Sequence, residues 1–383
     1  MGKNGFRKKC GLASPPRSNG SAVTILVDAR PLTDPVAGGV TRVAEGLLPA
    51  LVATMPEHRF VFATTGASRR ALNDQRISIT RHLFLPNKCV SLLTWLGVTS
   101  FDRLIMRERP DALLLPNIGF IGRPNVPYAL IVHDLSFVIE PLWYARKARW
   151  WHKAVHASRL ICEATLLIAV SERTKQDVIE RLGVAPEKIV VIPLGLDVHV
   201  AQTKSQPSSW IIPRMKRSVL ALGGSHPRKN IRCIIETIRA LRKEPGYHDL
   251  GLVLTGTHRD KTYPSFVTAL QRPSNNALAS LMQEAAAFLY PSWYEGYGLP
   301  LHEAARFGTP CIASASSCFP ETAPTGTLLC SPAKPHEWVT ALRMVLAAPD
   351  RFCTRTTLGN WETAAAVVAQ ALKTKMGAGI APS

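Results

Sequence analysis

Short apolar runs alternate along the chain with longer stretches of helical period, the pattern of parallel strands buried under helices on both faces. Residues 22–28, 58–63, 111–115, 127–132 and 165–170 read as strands of a first block, and 218–222, 251–256 and 287–290 as strands of a second. Helical patterning follows at about 41–53, at 142–162 with five cations and no acid, after Ser171 as a cap, and at 360–372 on an amphipathic face. Residues 202–213, rich in Ser, Pro and Gln, read as a linker. Residues 263–276 show no strand pattern, which predicts a trimmed edge in the second sheet. The expected layout is α/β with two doubly wound domains: a basic tail over 1–21, a first domain over 22–200, a linker over 201–216, a second domain over 217–358 and a closing helix over 359–376.

Composition narrows this picture. The 383 residues are 46% hydrophobic and 19% charged, enough for two substantial cores, and no apolar run is long enough to span a bilayer. A formal charge of +19 predicts an anionic partner: a phosphorylated ligand, an acidic membrane surface or nucleic acid. No compact nucleic-acid-binding signature accompanies the charge, so nucleic acid is not expected. The eight cysteines form no C-x2-C pair and read as reduced thiols of a cytoplasmic protein. Lys3, Arg7, Lys8, Lys9 and Arg17 precede Ala22 without an apolar segment, which does not support a secretory leader.

Candidate chemistry concentrates in four places. The stretch 291–305 joins a strand to a helix through a Pro/Gly turn and places Glu295 and Glu303 on either side of amides at Gly298 to Leu301. A ligand with a central diphosphate and hydroxyl-bearing sugars at both ends satisfies that set, since amides suit phosphate and carboxylates suit hydroxyls. Residues 218–231 place Arg228 and Lys229 just before a helix, a phosphate-binding arrangement. Gly38 and Gly39 open the 41–53 helix where backbone can approach a ligand, with Arg42 one turn on. His133 and Asp134 follow a strand, where ligands of doubly wound sheets lie. His152 and His156 have metal-pair spacing but no third ligand, and no D-x-D motif occurs, so no metal or cofactor is expected.

The run Pro291-Ser292-Trp293-Tyr294-Glu295-Gly296-Tyr297-Gly298-Leu299-Pro300-Leu301-His302-Glu303-Ala304, followed by Gly308-Thr309-Pro310 and Phe319-Pro320-Glu321, resembles the signature of the family four, or group 1, glycosyltransferases with the GT-B fold. Pro227-Arg228-Lys229-Asn230 resembles that family's phosphate loop, and His133-Asp134-Leu135-Ser136-Phe137 resembles its mannosyl- and rhamnosyltransferase-like members. His302 departs from the family, which usually has an apolar residue there. The resemblance implies two Rossmann-like domains facing across a cleft, with the terminal helix crossing back to the first. It implies a retaining hexosyltransferase that uses a nucleotide-diphosphate sugar and a saccharide or polyprenyl-diphosphate-linked acceptor in cell-surface polysaccharide synthesis. Within it, Glu295, His133 and Lys229 are the expected catalytic residues. Gly39, Arg228, Lys229, Gly298, Leu299 and Glu303 are expected to bind the donor. A catalytically silent sugar-binding relative is the alternative raised by the shortened 257–280 region. The cationic tail and Trp143, Trp150 and Trp151 among the cations of 142–162 add an expected peripheral contact with an anionic membrane.

Overall fold

The structure, a computed structural model, describes residues 22–33, 38–65, 79–83, 85–196, 217–223, 226–256 and 262–377. The expected tail and linker lie outside the described residues. The first half runs β1 (Thr24–Asp28), α1 (Gly39–Thr54), β2 (Arg59–Thr65), β3 (Ile79–Leu83), α2 (Asn87–Trp95), α3 (Phe101–Leu104), β4 (Ala112–Leu115), β5 (Tyr128–Val132), α4 (Ser136–Ile139), α5 (Arg146–Ala154), α6 (Ala157–Glu163), β6 (Leu166–Ala169), α7 (Glu172–Leu182) and β7 (Ile189–Val191). The second half runs β8 (Arg217–Leu222), α8 (Ile231–Leu241), β9 (Leu250–Thr255), β10 (Val267–Leu270), α9 (Asn275–Glu284), β11 (Ala287–Tyr290), α10 (Leu299–Ala305), β12 (Cys311–Ser314), α11 (Phe319–Thr322), β13 (Leu328–Cys330), α12 (Pro335–Ala347) and α13 (Trp361–Gly377).

Each half builds one parallel sheet, seven strands in the order β3-β2-β1-β4-β5-β6-β7 and six in the order β10-β9-β8-β11-β12-β13. Strand order reverses between β1 and β4 in the first sheet and between β8 and β11 in the second. Such reversal points open the crevices in which doubly wound sheets hold ligands. The central strands are buried on both faces, which is why they read as unbroken apolar runs. The covering helices are one-sided: α8 buries Cys233, Ile234, Thr237, Ile238 and Leu241 and exposes Arg232 and Arg239. Each such aliphatic side chain contributes roughly 1.5–3 kcal/mol on burial.

The last helix belongs to the first core. Ala364, Ala365, Val368 and Leu372 of α13 join Val43, Leu47 and Leu51 of α1 in one hydrophobic cluster. Gly46 permits the crossing, because a Cβ there would sit 2.0 Å from the Trp361 indole nitrogen. The described cysteines are all free thiols. Among the described residues no helix is long and apolar enough to cross a membrane.

Two expectations are corrected. Residues 263–276 do contain a strand: β10 pairs in parallel with β9, Val267 opposite Leu252 and Leu270 opposite Thr255, and completes the sheet edge. Its four residues lie between Pro264 and Pro273, too short for alternation to show in the sequence. The basic segment 142–162 is not one helix. It turns at Pro141–Trp143, forms α5, and breaks at His156, whose φ of 53° is left-handed, before α6.

Candidate active site

The loops after β8 and β11, adjacent strands at the reversal point, meet above the second sheet. Backbone ties them, the Trp293 N–H donating to the Arg228 carbonyl at 2.7 Å. Their side chains form one ionic cluster. Lys229 Nζ donates to Glu295 Oε1 at 2.6 Å and to the Tyr290 hydroxyl at 2.7 Å, while an Arg228 guanidinium nitrogen donates to Glu295 Oε2 at 3.0 Å and to the Tyr294 carbonyl at 3.2 Å. Ser317, from the loop after β12, pins the Glu295 backbone, accepting from its N–H at 3.0 Å and donating to its carbonyl at 2.7 Å.

Electrostatics fix the charge states. Burial alone would raise the Glu295 pKa, but the Arg228 and Lys229 charges and their hydrogen bonds outweigh it and hold the carboxyl down at about 2. Burial works against the Arg228 charge, and the Glu295 and Asp134 carboxylates overcome it and raise its pKa. For Lys229 burial wins and lowers the pKa, with Glu295 opposing. Glu295 is therefore an ionised acceptor, not a proton donor.

The first domain supplies the opposite wall from the end of β5. Burial lowers the His133 pKa, and its Nε2 lies 2.8 Å from the Pro116 carbonyl, an acceptor only. The proton of the neutral ring therefore sits on Nε2, leaving the Nδ1 lone pair open. Asp134 Oδ1 accepts from the Ser136 N–H at 2.9 Å, and Oδ2 lies 3.6 Å from Arg228 across the cleft. The walls are in contact at Gly296, where a Cβ would sit 1.6 Å from the His133 carbonyl oxygen, so only glycine admits this approach.

Gly39, His133, Asp134, Arg228, Glu295, Gly298 and Leu299 all line one cavity of about 180 Å³ between the domains. Lys229 stands behind Glu295 through its ion pair. Glu303 lies apart: with Arg42 it lines an adjoining cavity of about 80 Å³, Leu299 being common to both. Its carboxylate is ion-paired with Arg42 of the opposite domain. The expected row of amides is shorter than its spacing suggested, because Pro300 has no N–H and the Leu301 N–H closes on the Gly298 carbonyl at 2.9 Å. His302 faces away into the core, its Nε2 on the Thr322 carbonyl at 2.6 Å and its Nδ1 on the Thr356 hydroxyl at 2.9 Å.

Tyr290, Tyr294 and Ser317 escape sequence reasoning. Tyr290 looks like an ordinary strand residue, and Ser317 acts from 22 residues beyond Glu295. The Tyr294 hydroxyl crosses to the first domain, donating to Asp177 Oδ2 at 2.6 Å and accepting from the Leu135 N–H at 3.4 Å.

Residues 37–200 match the family model for Glycosyltransferase Family 4, and residues 216–348 that for Glycosyl transferases group 1. The chain belongs to the group 1 glycosyltransferases. It is 27% identical over 226 residues to the MMP alpha-(1->4)-mannosyltransferase of Mycolicibacterium hassiacum, covering 53% of this chain and 52% of that one. It is 28% identical over 227 residues to the O-antigen chain mannosyltransferase RfbU of Salmonella typhimurium, covering 58% and 61%. The chain thus spans only about half to three-fifths of the length of these curated relatives. Among solved structures, sucrose-phosphate synthase from Thermosynechococcus elongatus superposes with a TM-score of 0.64 at 16% identity, over 94% of this chain and 96% of that one. WaaG, a glycosyltransferase of lipopolysaccharide biosynthesis, gives 0.61 at 15% identity over 94% and 98%. HepE from Anabaena, solved with UDP and glucose, gives 0.60 at 17% identity over 92% and 95%. At these identities the structures show the fold alone, which is GT-B.

Proposed function

We propose that this group 1 glycosyltransferase moves a hexose, of the mannose or rhamnose type, from a nucleotide-diphosphate sugar to a saccharide or lipid-linked saccharide acceptor in cell-surface polysaccharide synthesis. The observation that carries it is the Arg228–Glu295–Lys229 cluster facing His133 and Asp134 across the cleft. As the glycosidic bond to the diphosphate breaks, negative charge gathers on the leaving oxygens and the sugar gains oxocarbenium character. Arg228 and Lys229 are the cations placed to meet that charge. Glu295, held between them, keeps both aimed at the reversal point and accepts from sugar hydroxyls once the diphosphate draws the cations forward. The His133 ring, with Nδ1 open, is an acceptor for a donor-sugar hydroxyl. Gly39 and Gly298 bring backbone near the phosphates, and Glu303 accepts from the ribose diol after releasing Arg42.

Retention of anomeric configuration follows the family resemblance. The mannose reading is supported by the mannosyltransferases among the relatives, and the donor class by the UDP held in HepE. The ground for a catalytically silent relative was a missing sheet edge, and β10 supplies that edge. The test is incubation with a panel of nucleotide-diphosphate sugars, following thermal stabilisation and release of nucleoside diphosphate in the presence of chelator. Stabilisation by one donor with nucleotide release supports the reading. No response to any donor rejects it, and release only after manganese is added rejects the expectation that no metal is needed.

A further inference from the structure

One cavity of the first domain lies outside the cleft. It measures about 430 Å³, and Arg103 of α3, Arg123 of the β4–β5 loop and Arg159 of α6 line it, with Ser100, Asn125 and Trp95 among their neighbours. No carboxylate lines it. Compensation lies behind and beside the wall: the buried Asp102 carboxylate accepts from Asn125 at 2.9 and 3.0 Å, Arg103 donates to Asn125 Oδ1 at 2.9 Å, and Arg159 pairs at 2.8 Å with Glu163, a half-exposed side chain outside the wall. Three arginines from separate elements lining one concavity give it a charge that an oxyanion with several acceptor oxygens would satisfy.

Two further features say what carries that anion. A chain of aromatic contacts leads from this cavity to the reaction centre. Phe120, which lines the cavity, packs edge-on against Trp151 at 6.1 Å; Trp151 meets His152 at 5.2 Å, and His152 meets Tyr144 at 5.1 Å. The Tyr144 hydroxyl then bonds Ser136, which bonds Asp134 opposite Arg228. Ring faces and edges of this kind suit the apolar faces of sugars. At the cavity's other side Trp95 meets the exposed Trp150 at a tilt of 59°, centroids 6.1 Å apart, and Leu92, Leu96 and Val98 are exposed as well. A phosphate in the cavity would thus have a saccharide track on one side and an apolar surface on the other.

We propose that the Arg103–Arg123–Arg159 cavity binds the phosphate or diphosphate group of the acceptor, so that the acceptor's sugar end runs along Trp151 and Tyr144 towards Asp134. This deepens the transferase reading and rests on it for the identity of the acceptor, but the anion site is testable without turnover. Protein saturated with nucleoside diphosphate, which fills the cleft, is titrated with inorganic pyrophosphate and separately with farnesyl diphosphate, reading tryptophan fluorescence and heat. Expected is saturable pyrophosphate binding in the saturated protein, weakened at least tenfold in Arg123→Gln/Arg159→Gln and, as a second variant, in Arg103→Gln. Circular dichroism establishes that each variant is folded. Tighter binding of farnesyl diphosphate than of pyrophosphate assigns the anion to a lipid carrier, and equal binding assigns it to a soluble phosphorylated saccharide. Absence of pyrophosphate binding in the saturated wild type, or unchanged affinity in both folded variants, overturns the site. A protein that binds pyrophosphate here yet releases no nucleotide from any donor would instead locate the failure in the transferase reading.

Discussion

Glu295 is held by two cations and a hydroxyl within 3.0 Å, so its removal and that of Lys229 should differ. Lys229→Ala removes the proposed charge-assisted contact to the leaving group, worth about 1.5–3 kcal/mol, and turnover or donor affinity should fall roughly ten- to a hundredfold. Glu295→Gln keeps the shape but releases both cations from their anchor, so steady-state kinetics should show kcat falling more than KM rises. Glu303 makes a sharper case because its partner competes with the proposed ligand. Glu303→Ala should weaken donor binding, whereas Arg42→Ala should strengthen it by freeing the carboxylate. Calorimetry on the two variants reads opposite signs, and weakening in both would give the pair a purely structural role. The Glu295, Lys229 and Glu303 positions were legible from their motifs. Their pairing was not, because ion pairs between separate loops and opposite domains leave no local spacing.

Element α10 carries both Leu299 at the cleft and His302 in the core. Burial holds the His302 imidazole down at about 4, with the Thr322 carbonyl opposing. A histidine depressed on folding contributes stability that is complete above its unfolded value near 6.5 and is lost as pH falls towards 4, here about 3 kcal/mol. His302→Leu removes that acid sensitivity but leaves the Thr322 carbonyl and Thr356 hydroxyl without this partner, a cost of about 1–3 kcal/mol when the imidazole is neutral. Urea unfolding should find the variant less stable at neutral pH and the gap closed at about pH 4.5. A constant gap across that range would remove His302 from the acid response. The same scale explains β10 and the break at His156: a four-residue edge strand exists through its ladder to β9, and a left-handed residue inside a basic helical pattern shows only when the chain turns.

The whole molecule is closed. Tyr294 bonds Asp177, Arg42 pairs with Glu303, and the Glu321 carboxylate accepts from the first amides of α7 at 2.8 and 3.2 Å, all between domains. Ligand pockets commonly enclose about 300–1,000 Å³, more than the 180 Å³ between the walls, so entry of the proposed donor would require these contacts to part. The outer face of the first domain pairs apolar and cationic groups: Trp150 is 57% exposed, Leu96 59% and Val98 65%, with Lys88, Arg146, Lys147 and Lys153 also exposed. We infer an anionic bilayer as its partner, each basic residue near the surface adding about 1 kcal/mol. Vesicle co-sedimentation should require anionic lipid, fall with salt, and weaken when Arg146, Lys147 and Arg149 become Gln. Equal recovery on neutral and anionic vesicles would count against it.

Taken alone, the sequence determined the alternating α/β layout, the strands β1, β2, β4, β5, β6, β8, β9 and β11, the helices α1, α7, α8, α10 and α13, and the residue types at the phosphate loop and the carboxylate turn, because buried parallel strands and ligand turns impose composition locally. Only the tertiary structure decided that Arg228 and Lys229 would both close on Glu295, that Tyr294 would fasten to Asp177, that Glu303 would hold Arg42, and that three arginines distant in the chain would face one cavity. Each of these joins side chains from different loops or domains, and such meetings depend on how the two sheets are packed, which no periodicity along the chain records.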